Sequence, residues 1–294
     1  MNRLIILVPA LIGLSASSFS IPSGLQPLAL DSFEQSVQSD IMKYGFPGTA
    51  RLIFRKGYVL SYDGRNRTAH WVAERLSRDR LGGSATQRGL SFRIDRSVPA
   101  EHQSKNGDYL NSNLDRGHLA AAANHTGSAD DVKETMIYSN ASPQVGVHFN
   151  QGIWKWLEED TREWAKVVDE LYVYTGPIYR AKEPEEVVDP VGGRTTKWVR
   201  YQVIGDRNVA VPTHFFKVML AEIDGKVAVQ AFVLPNKAVD VDRDDVDWDG
   251  FLRSVDEVER RTGLDFFNVL SSRKQRELEK EVAPTAWSLA APTN

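Results

Sequence analysis

The chain contains no cysteine. Disulfides, thiol catalysis, cysteine-ligated zinc and redox control through a thiol are therefore all excluded. It also has little excess charge: 36 basic against 39 acidic residues leave a net charge of −3. Bulk charge of that size does not hold a protein on nucleic acid or a membrane, so polyanion contact has to come from a local patch. Internal repeats, low-complexity tracts and long hydrophobic spans are missing as well. The apolar run from Leu4 to Leu14, within "MNRLIILVPALIGLSASSFS", is too short to cross a bilayer comfortably.

That first stretch resembles a signal peptide and is poor in arginine for a mitochondrial presequence, so by itself it leans towards export. Three N-x-S/T sequons, at Asn66, Asn124 and Asn140, lean the other way. Two of them fall in or near the region argued below to be the active site, where a glycan would obstruct a large substrate.

What is present is an ordinary globular composition, 41% hydrophobic and 26% charged over 294 residues. The pattern predicts a targeting segment over residues 1–20, an arm over 21–45, one domain over 46–284 and a tail over 285–294. A helix-compatible stretch from Asp31 to Lys43 ends before the turn "YGFPG". "RLIF" and "YVLSY" read as strands, residues 78–113 as loops around one strand, and "ETMIYSN" as a buried strand ending at Asn140. Apolar spacing at Ile153, Leu157, Trp164, Val168 and Leu171 predicts a helix from Gln151 to Leu171. The runs "LYVYTG", "WVRYQVIG", "VAVPTHFFKVMLAEI" and "KVAVQAFVLPN" predict strands joined too tightly for crossover helices, hence an antiparallel sheet. Ser254 and Glu257 form a capping box, Gly263 stops that helix, and "SRKQRELEKEV" supplies another. The class is α+β, a central, mainly antiparallel sheet flanked by helices.

The chemistry concentrates in "DRGHLAAAANH". His118 follows Asp115, Arg116 and Gly117, and precedes small residues that leave space. A histidine can take a proton from water near neutral pH, and an arginine beside it can clamp a phosphate. A second stretch, "SNASPQVGVHFNQGIWKWLEED", carries Asn140, Asn150 and Glu158. Asn150 and Glu158 are too far apart to grip one ion directly, but a metal on Asn150 could keep waters held by Glu158. On spacing alone, Asn150 as a helix cap and Glu158 as a solvated helix residue is the favoured account. The run "DVDWDGFLRSVD" mimics a calcium loop. Asp256 at its twelfth place, Arg253 at an oxygen position and a non-helical entry argue against calcium there.

Together "DRGHLAAAANH", "YSNASPQ", "HFNQ" and "WLEED" resemble the DNA/RNA non-specific endonucleases, the likeness being to the mitochondrial endonuclease G group. It extends over "YGFPG", "VLSYDGRNRTAHWVAERL", "YTGPIYR", "YQVIGDRNVAVPTHFFK", "FVLPN" and "VERRTGLDFF", roughly residues 40–270. The resemblance implies a ββα-metal finger, with His118 as general base and Asn150 as sole protein ligand of a hydrated Mg2+ (Mn2+ being the alternative). It implies that Glu158 holds the ion's waters, Asn140 orients the site and Arg116 stands beside the scissile phosphate. Arg93 and Phe92 stand where the family contacts substrate, and Arg65 is a weaker case of the same kind. The expected activity is hydrolysis of DNA and RNA to 5′-phosphate and 3′-hydroxyl ends without sequence specificity, by a homodimer needing no small-molecule cofactor. The expected place is the mitochondrial intermembrane space, with release to the nucleus during cell death. Secretion, a silent nucleic-acid-binding relative and a 5′-exonuclease stay open, the last disfavoured by the lack of a long C-terminal extension. His148 and Phe149 depart from the smaller or basic residues usual before the asparagine.

Overall fold

The computed structural model describes residues 31–179, 185–280 and 282. Short β-branched and aromatic runs become strands, each antiparallel to its neighbours, some across tight turns and others across long excursions of the chain. β1 (Leu52–Phe54), β2 (Tyr58–Asp63) and β3 (Thr68–Leu76) form a meander. β4 (Leu114–His118) pairs with β5 (Ala141–Val145) outside the main sheet. β6 (Glu170–Ile178) returns to the main sheet, while β7 (Glu185–Val188) pairs with β8 (Thr195–Trp198) and β9 (Val203–Ile204) with β10 (Val209–Ala210). β11 (His214–Ile223), β12 (Lys226–Pro235) and β13 (Leu252–Arg253) complete a seven-stranded sheet of order β1-β2-β3-β6-β11-β12-β13.

The sheet is buried on both faces, so alternation along a strand divides two cores rather than core from solvent. On β11, Phe215, Met219 and Ala221 join one core; Phe216, Val218 and Leu220 join the other. Burying each large side chain stabilises the fold by about 1.5–3 kcal/mol. Helix α4 (Trp154–Ala165) covers the first face with Trp154 and Leu157. The second is covered by α1 (Ser32–Ile41), α5 (Val255–Thr262) and α6 (Ser272–Glu279), two short helices, α2 (Asn106–Tyr109) and α3 (Ala129–Thr135), lying elsewhere. Val37 and Ile41 of α1 reach the second core, so part of the segment expected as an arm packs into the domain. No described helix is long and apolar enough to cross a membrane.

Only half of the capping box expected on α5 forms: Ser254 accepts from the Glu257 amide, while the Glu257 carboxylate pairs with Arg261 and Arg253. Gly263 stops the helix at φ 75°, a left-handed conformation suited to glycine. That cap also accounts for the calcium-loop mimic, which here is turns leading into a helix.

Four expected elements are corrected. The helix expected over 151–171 is regular only over Trp154–Ala165. Gly152 leaves helical geometry (φ −126°, ψ −116°), and Leu171 already belongs to β6. Helix and strand face the same core, so their apolar residues mimic one long helical period. "ETMIYSN" is no strand: Ser128 caps α3, which runs to Thr135, and β5 begins only at Ala141. Residues 78–113 contain one isolated bridge, Arg93 with Ile137, rather than a strand, and "WVRYQVIG" breaks into the ends of two short ones.

Candidate active site

β4 presents Arg116 and His118 by alternation, opposite β5, with His118 in register with Ala141. Between them Gly117 lies so close to Gln144 that a Cβ there would come within 2.1 Å of its side chain. The second strand then turns through Gly146–Ile153 into α4. His148 takes a left-handed φ of 65°, a conformation costing roughly 1–3 kcal/mol for such a residue. Burial of the next residue offsets that cost: Phe149 is fully enclosed, stacked on Trp154 and set against Phe215. This turn leaves Asn150 beside β4. The His148 ring points instead towards Asp240, 3.8 Å away, and does not line the groove.

The resulting groove, of about 610 Å³, is lined by Phe92, Asn106, Asp115, Arg116, His118 and Asn150, among others. Asp115 accepts hydrogen bonds from Asn150 Nδ2 and Gln151 Nε2, both at 2.8 Å. A carboxylate only accepts, so it fixes which way the Asn150 amide faces. The Oδ1 atom, a hard neutral oxygen donor, is thereby left unclaimed by protein. Oxygen-only donors beside open space suit a cation that keeps most of its waters.

Burial, with His125 nearby, pushes the His118 imidazole down to about 4, so the ring is neutral and able to accept a proton at neutral pH. Its Nε2 lies 3.2 Å from the sulfur of Met136, and Phe92 packs on the ring at 4.8 Å between centroids. Arg116 is exposed to the groove and donates to Asn106 Oδ1 at 2.5 Å. Asn140 is fully buried. Its side chain bonds the Ala120 backbone at both N–H and C=O, and the Thr135 carbonyl, while its own carbonyl accepts from Leu119. It therefore shapes the loop after His118 and does not face the groove.

Glu158 stands on α4 and is not among the side chains lining the groove. Burial, only partly opposed by the fields of Lys217 and Arg162, pushes its carboxyl up to about 7. Lys217 is buried, donates to Thr175 Oγ1 at 2.8 Å and stands over the Trp154 ring at 5.1 Å. Nearby, Glu74 accepts from Asn124 at 2.9 Å and contacts His125 at 2.9 Å, and Arg162 donates to Asn124 at 3.1 Å. This buried network ties the loop following His118 to α4.

Sequence reasoning attached no role to Asp115, Asn106, Asn124, Arg162 or Lys217. Only Asp115 carried a visible signal, its place beside His118, and nothing in the sequence linked it to Asn150. The structure separates two of the expected substrate contacts from the groove. Arg93 donates to the Lys133 carbonyl and lines a neighbouring hollow with Arg55 and Arg96. Arg65 lines another groove altogether, with His70 and Tyr201.

This hairpin, turn and helix define the class. The family model for DNA/RNA non-specific endonuclease matches residues 37–273, and the chain belongs to that family of nucleases. Among individual proteins, the chain is 42% identical over 253 residues to "Endonuclease G, mitochondrial" of Caenorhabditis elegans, covering 84% of this chain and 79% of that one. The protein of the same name from Homo sapiens is 42% identical over 234 residues, 79% of this chain and 75% of that one. "Mitochondrial nuclease" of Saccharomyces cerevisiae is 34% identical, over 83% of this chain and 74% of its own. A solved chain from the EndoG/EndoGI complex aligns with a TM-score of 0.71 at 39% identity, covering 80% of this chain and 92% of that one.

Proposed function

We propose that the chain is a magnesium-dependent, sugar-non-specific endonuclease that leaves 5′-phosphate and 3′-hydroxyl ends on DNA and RNA. The observation that carries this reading is the meeting, in one groove, of a neutral His118 with an Asn150 whose amide oxygen is turned free by Asp115. His118 accepts the proton of the attacking water at its imidazole, a general-base contribution worth about 10²–10⁴-fold. Arg116 clamps the scissile phosphate from the groove wall, with Asn106 fixing its guanidinium. Asn150 would hold the cation, which supplies neutralisation of charge on the phosphate and the departing oxygen. Mn2+ fits the same oxygen donor. Glu158, poised near neutrality, would accept hydrogen bonds from that cation's waters.

The names of several relatives support a mitochondrial place; the part in degrading DNA after release to the nucleus during cell death is inferred from the family likeness alone. The sequon asparagines add a second argument. Asn66, Asn124 and Asn140 are all buried, with their amides donating to Asp63, Glu74 and backbone carbonyls respectively. A glycan on any of them is incompatible with this fold, which suits a compartment without N-glycosylation. The family likeness supports a homodimer, and the exposed Val188, Val191, Trp198 and Tyr201 around the β7–β8 pair offer apolar surface for it. Sedimentation of the purified chain checks that part.

Plasmid nicking in Mg2+ and in EDTA, beside His118→Ala and Asn150→Ala, tests the activity. Cutting that needs the metal and is lost in both variants supports the reading. Cutting that survives His118→Ala overturns it.

A further inference from the structure

On the sheet face opposite α4, helices α5 and α6 bring three acids together. Asp256 and Glu259 come from α5 and Glu279 from α6, and one carboxylate oxygen from each lies within 4.8 Å of the others. Glu279 is only 6% exposed, and its Oε1 has no hydrogen-bond partner. A buried carboxylate without a partner is expensive unless a proton or a cation neutralises it. Its position makes the cost greater, because it is the last residue of α6, where unsatisfied carbonyls already carry partial negative charge. Asp265, just beyond α5, adds a further negative field at both glutamates. The ion pairs that these two helices make go to Glu257 and Glu277 instead.

We propose that Asp256, Glu259 and Glu279 hold a hard divalent cation of the Ca2+ type, which fastens α6 to α5. The donors are all oxygen. Their spread also fits, since ligands at about 2.3–2.6 Å from a Ca2+ ion stand up to roughly twice that distance from one another. Glu259 is already oriented, one of its oxygens accepting from the Phe266 amide at 2.7 Å. Burial first, and the neighbouring acids second, push Glu279 up to about 8 and Glu259 up to about 7, so protons compete for the same oxygens. The site is unconnected with the groove and acts on the stability of the C-terminal helices rather than on chemistry.

The test uses the full chain carrying Asn150→Ala, which removes the groove's own cation donor. Stripped with EDTA, dialysed and titrated with CaCl2 at mildly alkaline pH, it should bind one Ca2+ by calorimetry and gain several degrees in Tm. Adding Glu279→Gln should abolish both responses. Adding Asp256→Asn, a change at a less buried position, should weaken binding about tenfold or more. The proposal is overturned if the Asn150→Ala chain shows neither heat nor a Tm shift with Ca2+. It is equally overturned if the response persists with Glu279→Gln, or if that variant proves more stable than its parent at every Ca2+ concentration, which would mean that protons alone neutralise the trio.

Discussion

The two halves of the finger are held in different ways. His118 sits on a strand paired by backbone hydrogen bonds, with a glycine closing the space beside it. Asn150 sits in an irregular turn and depends on one side chain, Asp115, from the opposite half. A residue placed by backbone pairing tolerates changes in its neighbours. A residue placed by a side-chain hydrogen bond does not, because losing one partner leaves the other misdirected.

The largest expected effect breaks the first half. His118→Ala should lower kcat by about 10²–10⁴-fold without unfolding the chain, read by nicking rate and circular dichroism. Asp115→Asn breaks the second half. The new amide can offer its own N–H to Asn150, so the amide oxygen of Asn150 turns inward, and we expect roughly 10–100-fold weaker metal response or activity.

Acid acts on both halves, on His118 in the first and on Glu158, whose carboxyl is pushed up to about 7, in the second. His118 is depressed to about 4 in the folded chain against an ordinary value near 6.5. The unfolded chain therefore binds this proton first as pH falls. The associated stability is intact above about pH 6.5 and is lost as pH drops from there towards 4. In a Glu158→Gln chain, which no longer titrates near 7, the acid limb of kcat/KM should accordingly lie below the usual imidazole range, and a limb centred at 6.5 or above would contradict the burial argument.

Smaller effects belong to the groups outside the groove. Arg162→Ala, which removes the tie between α4 and Asn124, should cost about 1–3 kcal/mol of stability in denaturant titrations. Arg93→Ala should raise KM modestly, because its hollow adjoins Phe92. Arg65→Ala should leave nicking within error, because its groove is separate.

How much of this was legible follows the same division. The strands of the antiparallel sheet and both C-terminal helices came from local patterns, because each depends on residues close in the chain, whereas the hairpin bearing His118 came from the family resemblance alone. The boundaries of α4 did not, because Val168 and Leu171 face the helix's own core from a turn and a strand. Nor was "ETMIYSN" legible as helix and turn, since the Ser128 cap that decides it lies upstream. In the site, the choice of His118 and Asn150 as candidates came from motif, and the structure brings both to one groove. The Asp115–Asn150 bond, the inward role of Asn140 and the network through Glu74 and Arg162 were not, since each joins segments distant in sequence.

The most direct test of the central claim is the dependence of nicking on Mg2+ concentration, measured for the wild type, His118→Ala and Asp115→Asn. If the two halves work as described, His118→Ala lowers the maximal rate with an unchanged Mg2+ midpoint, while Asp115→Asn moves the midpoint to higher Mg2+. An Asp115→Asn curve that superimposes on the wild type would contradict it.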